Sequence, residues 1–331
     1  MTKKLVSVVV LNWNGERYVH DCIKSILNQT YKPVELIIVD NASSDGSIEK
    51  IENLYSPFDF VTIIKNSTNT GFAKGMNIGI EACRGEFVAL MNLDVFLDAQ
   101  YIEKCVAQML ADKHIGFVGG CEYIWGKDGK LIPAHGPSSG ALFIKRRLQL
   151  FAYKNKLDES GYCFGVTGSF PVVRKEMLDD IKSVSGCYFD EDFGTGWEDT
   201  DMRFRAFLRG WKTYYLSDAI GYHVGSSSAG GNIRLIDKSL DYQERIFRNR
   251  YYVIHKSIPC CIRKEIAPWL FVAEILLFPY YLIFSPKSLK ALFRAKKTIR
   301  KEKQELIRKR NAIESNITID KKELMSMFKR F

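Results

Sequence analysis

Two acidic stretches have a spacing that chemistry could use. In "GWEDTDMRFR", Glu198, Asp199 and Asp201 place three carboxylates within four residues, just after Gly194, Gly196 and Trp197. Acidic residues at a helix start are favoured by the exposed N–H groups and the dipole, which accounts for two of the three. A carboxylate held beside a polarised substrate can also take the proton of a hydroxyl nucleophile. In "VALMNLDVFLD" an apolar run, 88–91, passes into Asn92-Leu93-Asp94 with no Gly or Pro to mark a turn. Side chains two apart on extended backbone face the same way. Asp94 could therefore ligate a hard divalent cation, with Asn92 adding an amide oxygen or a hydrogen bond. Asn and Asp also cap turns at strand ends, and spacing alone leaves both readings open. His223, in "IGYHVGSSSAGG", precedes a Gly/Ser-rich loop and is a metal ligand or a packed imidazole.

These groups need a frame. From residue 5 to about 120, short β-rich apolar runs alternate with helix-like stretches at 16–29, 45–54, 73–83 and 98–111. Runs without polar alternation suit strands buried on both faces. Their alternation with helices predicts βαβ units, a mostly parallel sheet and helices on both of its faces. Ligands in such sheets bind outside the carboxyl ends of the strands. Asn12 and Asn14, Asp40 and Asn41, Asn66, and Asn92 with Asp94 all fall at those ends. Gly71, Gly75 and Gly79 recur every four residues, for close helix–sheet packing or for a ligand at the helix start. Beyond 120 come a hairpin over 123–132, further strands around the acidic stretch, and a helix over 237–256.

Composition narrows the class. The 331 residues are 46% hydrophobic and 13% aromatic, enough for a packed core and too apolar for a disordered chain. The eight cysteines show no metal or redox spacing and read as buried thiols of a reducing compartment. The lysines and apolar run at the N-terminus mimic a signal peptide. The run is short, however, and Asn12, Trp13 and Asn14 stand where a cleavage site would be, so it reads as the first strand. The net charge is +10, and residues 287–331 alone hold 15 Lys/Arg against 5 Asp/Glu, so the body is balanced. Upstream of that tail, 266–284 carries one charge, Glu274, and is nearly long enough to cross a bilayer. A single crossing would put the basic tail and the sheet on opposite sides, against the positive-inside rule for a domain using cytoplasmic substrates. The expectation is an interfacial or re-entrant segment, with the tail on anionic lipid; the alternative is a helix pair packed against the sheet domain. Leu292, Ile299, Leu306 and Ile313, seven apart, give the tail a narrow apolar stripe.

The ordered series "VVVLNWNG", "IIVDNASSDGS", "NTGFAKGMNIGI", "LMNLDV", "GVTGSFPVVRKEML", "FDEDFGTGWEDTDMRFR" and "YHVGSSS" resembles the family 2 inverting glycosyltransferases, over about residues 5–255. It is most similar to the rhamnosyltransferase-like branch. The resemblance implies a glycosyltransferase A (Rossmann-like) α/β catalytic domain over 1–256, with a nucleotide-binding half to about 120 and an acceptor half from 121. Residues 257–331 then form a helical, membrane-associating extension. It implies donor contacts from Asn12, Asn14, Asp40, Asn69, Gly71, Lys74, Asn77 and Asn92, and Mg²⁺ or Mn²⁺ on Asp94 and His223. Asp199 would be the catalytic base, with Glu198 beside it and Trp197, Asp201 and Arg203 on the acceptor side. Asn92 stands where the family's first metal-motif Asp stands, one negative charge fewer. The implied activity is that of a hexosyltransferase, moving sugar from a UDP- or dTDP-sugar to a saccharide or lipid-linked saccharide, on the cytoplasmic face of the membrane.

Two other classes are weighed. A sugar nucleotidyltransferase would carry a Gly-rich, Arg/Lys-bearing loop after the first strand, where this chain has "NWNGERY". A non-catalytic nucleotide-sugar-binding protein would have little need of Asp94, Asp199 and His223. Nucleic acid is not an expected partner, because the basic tail lacks interleaved aromatics along most of its length.

Overall fold

The computed structural model describes residues 3–124, 142–145, 150–152, 158–224, 235–326 and 328–329. The chain opens with β1 (Val6–Asn12), α1 (Glu16–Leu27), β2 (Val34–Asp40), α2 (Ser47–Tyr55), β3 (Val61–Lys65), α3 (Phe72–Glu81) and β4 (Phe87–Asn92). Next come β5 (Val95–Leu97), α4 (Tyr101–Ala111), β6 (Ile115–Ile124), β7 (Leu142–Lys145), β8 (Leu150–Ala152), β9 (Gly161–Cys163) and β10 (Val172–Arg174). They are followed by α5 (Lys175–Ser185), α6 (Glu198–Leu208), β11 (Lys212–His223) and α7 (Leu240–Tyr252), which runs into a π-helical turn (Val253–Ser257). The chain then forms α8 (Cys260–Phe284), α9 (Pro286–Lys301), α10 (Lys303–Glu314), α11 (Lys321–Ser326) and β12 (Phe328–Lys329).

One mixed sheet has the order β3-β2-β1-β4-β10-β6-β11-β5, with β9 on β11. Its first four strands are parallel, as expected; β10 enters antiparallel between β4 and β6, and β5 runs antiparallel to β11. The pleat explains why both faces are covered. Val6, Val8 and Val10 of β1 point into one core with α1, α2 and α4, while Val9 points into the other with α3 and α5. Each fully buried Val or Ile contributes about 1.5–3 kcal/mol of transfer free energy, before conformational entropy. Helix α1 shows the matching period: Val19, Cys22, Ile23 and Ile26 are its buried residues. Most of the hairpin expected over 123–132 lies outside the described residues, as does the Gly/Ser-rich loop after Val224.

All eight cysteines are free thiols. Helix α8 is continuous through Pro268 and Pro279, and it is long and apolar enough to cross a membrane. It anchors through Ile262, Ile266 and Leu270 and leaves Trp269, Phe271, Leu276 and Ile283 exposed. The apolar stripe of the tail is not a free surface. Ile299, Leu306 and Ile313 are buried in a core shared with Phe193, Phe204 and Tyr252, and Leu292 packs against it. Residues seven apart fall on one helix face, and that face is covered by protein.

Candidate active site

The carboxyl ends of β1 and β2 meet in register, Asn12 opposite Asp40. Both are buried, and they bond each other: Asn12 Nδ2 donates to Asp40 Oδ1 at 2.7 Å and to Ser47 Oγ at 2.9 Å. Asp40 also accepts from the hydroxyl and N–H of Ser43. Asn14, at φ 51°, accepts the Ser44 N–H at 2.8 Å. Asn12, Asn14 and Asp40 therefore shape the 41–47 loop that forms the floor of this edge. Beside them Asn41 is a hub that the site assignment from sequence left out. Its Oδ1 accepts from Asn66, Thr70 N–H and Thr70 Oγ1, and its Nδ2 reaches Asn69 Oδ1 and Gly71 O.

Gly71 caps α3 at φ +80°, a left-handed conformation that glycine adopts without strain. Gly75 and Gly79 serve packing, since a Cβ there would meet Leu11 at 2.5 Å and Val9 at 2.3 Å. Lys74 is exposed at the edge. Asn77, expected to line the donor, instead spends its amide on the backbone of Phe189, donating at 2.9 Å and accepting at 2.8 Å. It pins the 189–194 loop to α3, where Ala73 N–H also donates to Gly194 O at 3.0 Å.

Asp94 and His223 meet because β5 and β11 pair antiparallel with His223 opposite Val95. His223 Nε2 lies 3.3 Å from Asp94 Oδ1, and its Nδ1 lies 3.4 Å from Glu122 Oε2 and 3.1 Å from Ser169 Oγ. Thr167 Oγ1 donates to Glu122 Oε2 at 2.5 Å. Burial alone would lower the His223 pKa; its contacts with Asp94 and Glu122 outweigh that and hold it at about 10. Asn92 donates its backbone N–H to Ser169 O at 2.9 Å, and its side-chain Oδ1 is buried with no hydrogen-bond partner. Asn92, two residues from Asp94, thus has an unpartnered amide oxygen; with Asp94 and, once its imidazole has given up its proton, His223, it offers donors of the kind a divalent cation takes. Among the described residues no three His, Cys, Asp or Glu form a complete metal cage.

The three carboxylates of α6 have three different fates. Asp199 is partly exposed; its Oδ1 accepts the Thr200 N–H at 2.7 Å, and Arg203 Nη1 lies 2.9 Å from its Oδ2 without a well-aligned hydrogen bond. Glu198 is buried, and its Oε2 has no partner. Burial, reinforced by the charge of Asp199, raises its pKa to about 8, so it is neutral at pH 7. Asp201, expected on the acceptor side, is fully buried facing inward. Arg205 and Lys256 bond its two oxygens at 2.8 and 2.7 Å, and Ser257 donates to it as well. It belongs to the scaffold. Trp197, at φ 70°, precedes α6. Asn249 of α7 fixes the preceding loop by donating to Phe193 O and Gly196 O at 2.7 and 2.6 Å.

One tripeptide links the two halves. The hydroxyls of Thr167 and Ser169 serve Glu122 and His223, while a Cβ on Gly168 would lie 2.7 Å from Asp199 Oδ2. The cation-type donors and the partly exposed carboxylate therefore flank residues 167–169. Asn41 stood at a ligand-binding strand end without a role assigned to it, and none of Glu122, Thr167, Ser169 or Asn249 stood out in the sequence. The only signal for Thr167 and Ser169 was their place in the stretch "GVTGSF"; Glu122 and Asn249 left none.

The sequence profile of the family described as Glycosyl transferase family 2 matches residues 7–182. An uncharacterized glycosyltransferase of Haemophilus influenzae is 35% identical over 115 residues, 35% of this chain and 36% of its own. Glycosyltransferase GlyG of Streptococcus pneumoniae is 26% identical over 193 residues, 57% of this chain and 63% of its own. The chain thus spans less than two thirds of these curated relatives. Among solved structures, S. aureus TarS 1–349 in complex with UDP superposes with a TM-score of 0.54 at 16% identity, covering 80% of this chain and 70% of that one. GalNAc-T7 with UDP, GalNAc and Mn²⁺ gives 0.58 at 12% identity, covering 76% and 47%. At such identities the likeness is one of fold, the glycosyltransferase A arrangement.

Proposed function

Because the chain belongs to glycosyl transferase family 2, we propose that it transfers a sugar from a UDP- or dTDP-sugar to a hydroxyl of a saccharide, inverting the anomeric centre. The observation that carries this reading is the 167–169 bridge, which puts the Asp94–His223 pair and Asp199 on two sides of one short segment. Asp94 and His223, with the Asn92 amide oxygen, would hold Mg²⁺ or Mn²⁺, which when bound supplies Lewis-acid stabilisation of the leaving diphosphate. The polar edge around Asn12, Asp40 and Asn41 shapes the nucleotide end, with Lys74 and Gly71 toward the donor sugar. Asp199 accepts the acceptor hydroxyl's proton as its oxygen attacks the anomeric carbon from the face opposite the leaving group. Arg203, with Nη1 2.9 Å from Asp199 Oδ2, fixes its direction. Glu198, neutral at pH 7, adds no second charge there.

The rhamnosyltransferase-like branch remains the sequence-based choice within the family. The exposed apolar α8 and the basic tail favour an enzyme peripheral on an anionic membrane, on the cytoplasmic side where nucleotide sugars are made. A lipid-linked saccharide acceptor for a cell-surface glycan follows from that placement. A panel of UDP- and dTDP-sugars with Mn²⁺, read as released nucleoside diphosphate, tests the reading. Release of pyrophosphate from a nucleoside triphosphate would indicate a nucleotidyltransferase instead, and binding without turnover a non-catalytic protein.

A further inference from the structure

A cavity of about 550 Å³ lies away from the sheet edge, among the π-helical turn, α8, α9 and α10. Five of its lining residues are Arg263, Lys296, Arg300, Lys303 and Arg310, and its one carboxylate is Glu274. Glu274 is already engaged by the Tyr251 hydroxyl and the Lys296 ammonium, each at 2.7 Å. Arg310 reaches Glu314 only at 3.9 Å, and its buried Nε has no hydrogen-bond partner. Among the described residues Arg263, Arg300 and Lys303 form no ion pair. The wall therefore holds an excess of positive charge that the protein does not neutralise. His255, also on the wall, feels that excess. Burial, and then the charges of Arg263, Arg310 and Lys303, lower its pKa.

Beside the cavity lies a second hollow of about 360 Å³. They share Tyr251, His255, Arg263 and Glu274, and the second adds Ile254 of the π-helical turn and Lys264, Ala267, Leu270 and Phe271 of α8. The cationic chamber thus shares a wall with a hollow whose apolar side chains, Ala267, Leu270 and the exposed Phe271, line the helix that is long and apolar enough to enter a membrane. Arginine forks and ammonium groups without acidic partners bind phosphate oxygens through charge-assisted bonds. A groove ending on exposed Phe271 suits a hydrocarbon chain.

We infer that this chamber is a specific site for a phosphate-bearing membrane lipid, its head group among Arg263, Arg300, Lys303 and Arg310 and its chain along Leu270 and Phe271. The inference rests on the membrane-surface reading above and goes beyond it, from a general attraction for anionic lipid to one built site. It also assigns work to the tail cations that diffuse attraction would leave interchangeable.

The test uses the full chain and vesicles of phosphatidylcholine containing phosphatidic acid, in high salt so that diffuse attraction is screened. The exposed pair Arg300→Gln/Lys303→Gln should weaken vesicle binding about tenfold, through loss of charge-assisted bonds. The pair Lys290→Gln/Lys297→Gln removes the same charge from outside the chamber and should change it by less than about twofold. Phe271→Ser should weaken vesicle binding while leaving inorganic pyrophosphate binding unchanged. Equal losses from the two pairs would overturn the inference in favour of a diffuse basic surface. Pyrophosphate binding as tightly as lipid, with Phe271→Ser indifferent, would overturn it in favour of a soluble phosphate ligand. Vesicle binding needs neither donor nor turnover, so a negative result leaves the glycosyl-transfer reading intact.

Discussion

Two clusters of ionisable side chains in this protein begin from similar sequence and end in opposite states. In one, Asp201 and Asp190 are buried with Arg205, Lys256 and Lys309. Lys256 bridges the two carboxylates at 2.7 and 2.6 Å, and Lys309 reaches Asp190 at 2.9 Å. Burial would raise the Asp201 pKa, but Lys256 and then Arg205 outweigh it and hold the carboxyl below its ordinary range. In the other, Asp94 and Glu122 share a single imidazole, and Asn92 Oδ1 has no partner. Every carboxylate of the first cluster is held by an ammonium or guanidinium at hydrogen-bond distance; in the second an amide oxygen is left without a partner. Direct pairing with cations, rather than acidity or burial, marks the carboxylates that hold the fold.

The sharpest way to break this contrast is at Asp199, the α6 carboxylate that stays partly exposed. Asp199→Asn is expected to cut turnover on the order of a hundred- to ten-thousand-fold with nucleoside diphosphate affinity nearly unchanged. A threefold loss, or an equal loss of binding by calorimetry, would contradict a base role. Asp201→Ala tests the opposite assignment two residues away. It strands Lys256 and Arg205 and should cost roughly 3–5 kcal/mol in denaturant unfolding, because a broken buried pair leaves uncompensated charge. The protein that stays folded should keep its affinity for nucleotide.

Gly168→Ala comes next. Its Cβ would meet the end of the Asp199 side chain, which can swing away, so the fold should survive while the carboxylate moves. About a hundredfold loss of turnover is expected from a displacement near 1 Å, with an unchanged melting temperature. Glu198→Gln should have the smallest effect on turnover at pH 7, since the native carboxyl is already neutral there. Its signature lies in stability against pH. A carboxyl whose pKa rises from 4.5 unfolded to about 8 folded stabilises fully below 4.5, and loses that contribution as pH rises to 8. Melting temperatures of the native protein should fall across that window, and those of the variant should be flatter.

Much of the first half was legible because its signals are local. Four strand–helix alternations, the buried valines of β1 and the polar strand ends follow from residues adjacent in sequence. The three-residue β5 was too short to leave a period, yet its pairing with β11 is what brings Asp94 to His223. Ser169 and His223 are 54 residues apart, and Asn77 and Phe189 are 112 apart. No spacing rule reports such contacts. Within "EDTD" the sequence could count carboxylates but not say which one Lys256 would neutralise. The seven-residue stripe was visible, but whether lipid or protein would cover it depended on Phe193, Phe204 and Tyr252, far away in the chain.

The ion pairs of Lys309 carry a consequence for assembly. This lysine clasps Asp190 and Asp192, at the start of the loop that leads into Glu198 and Asp199, from 119 and 117 residues further along the chain. A nascent polypeptide that has already completed its sheet still lacks this clasp. The loop leading into α6 therefore matures late, after α9 and α10 have been made and have docked.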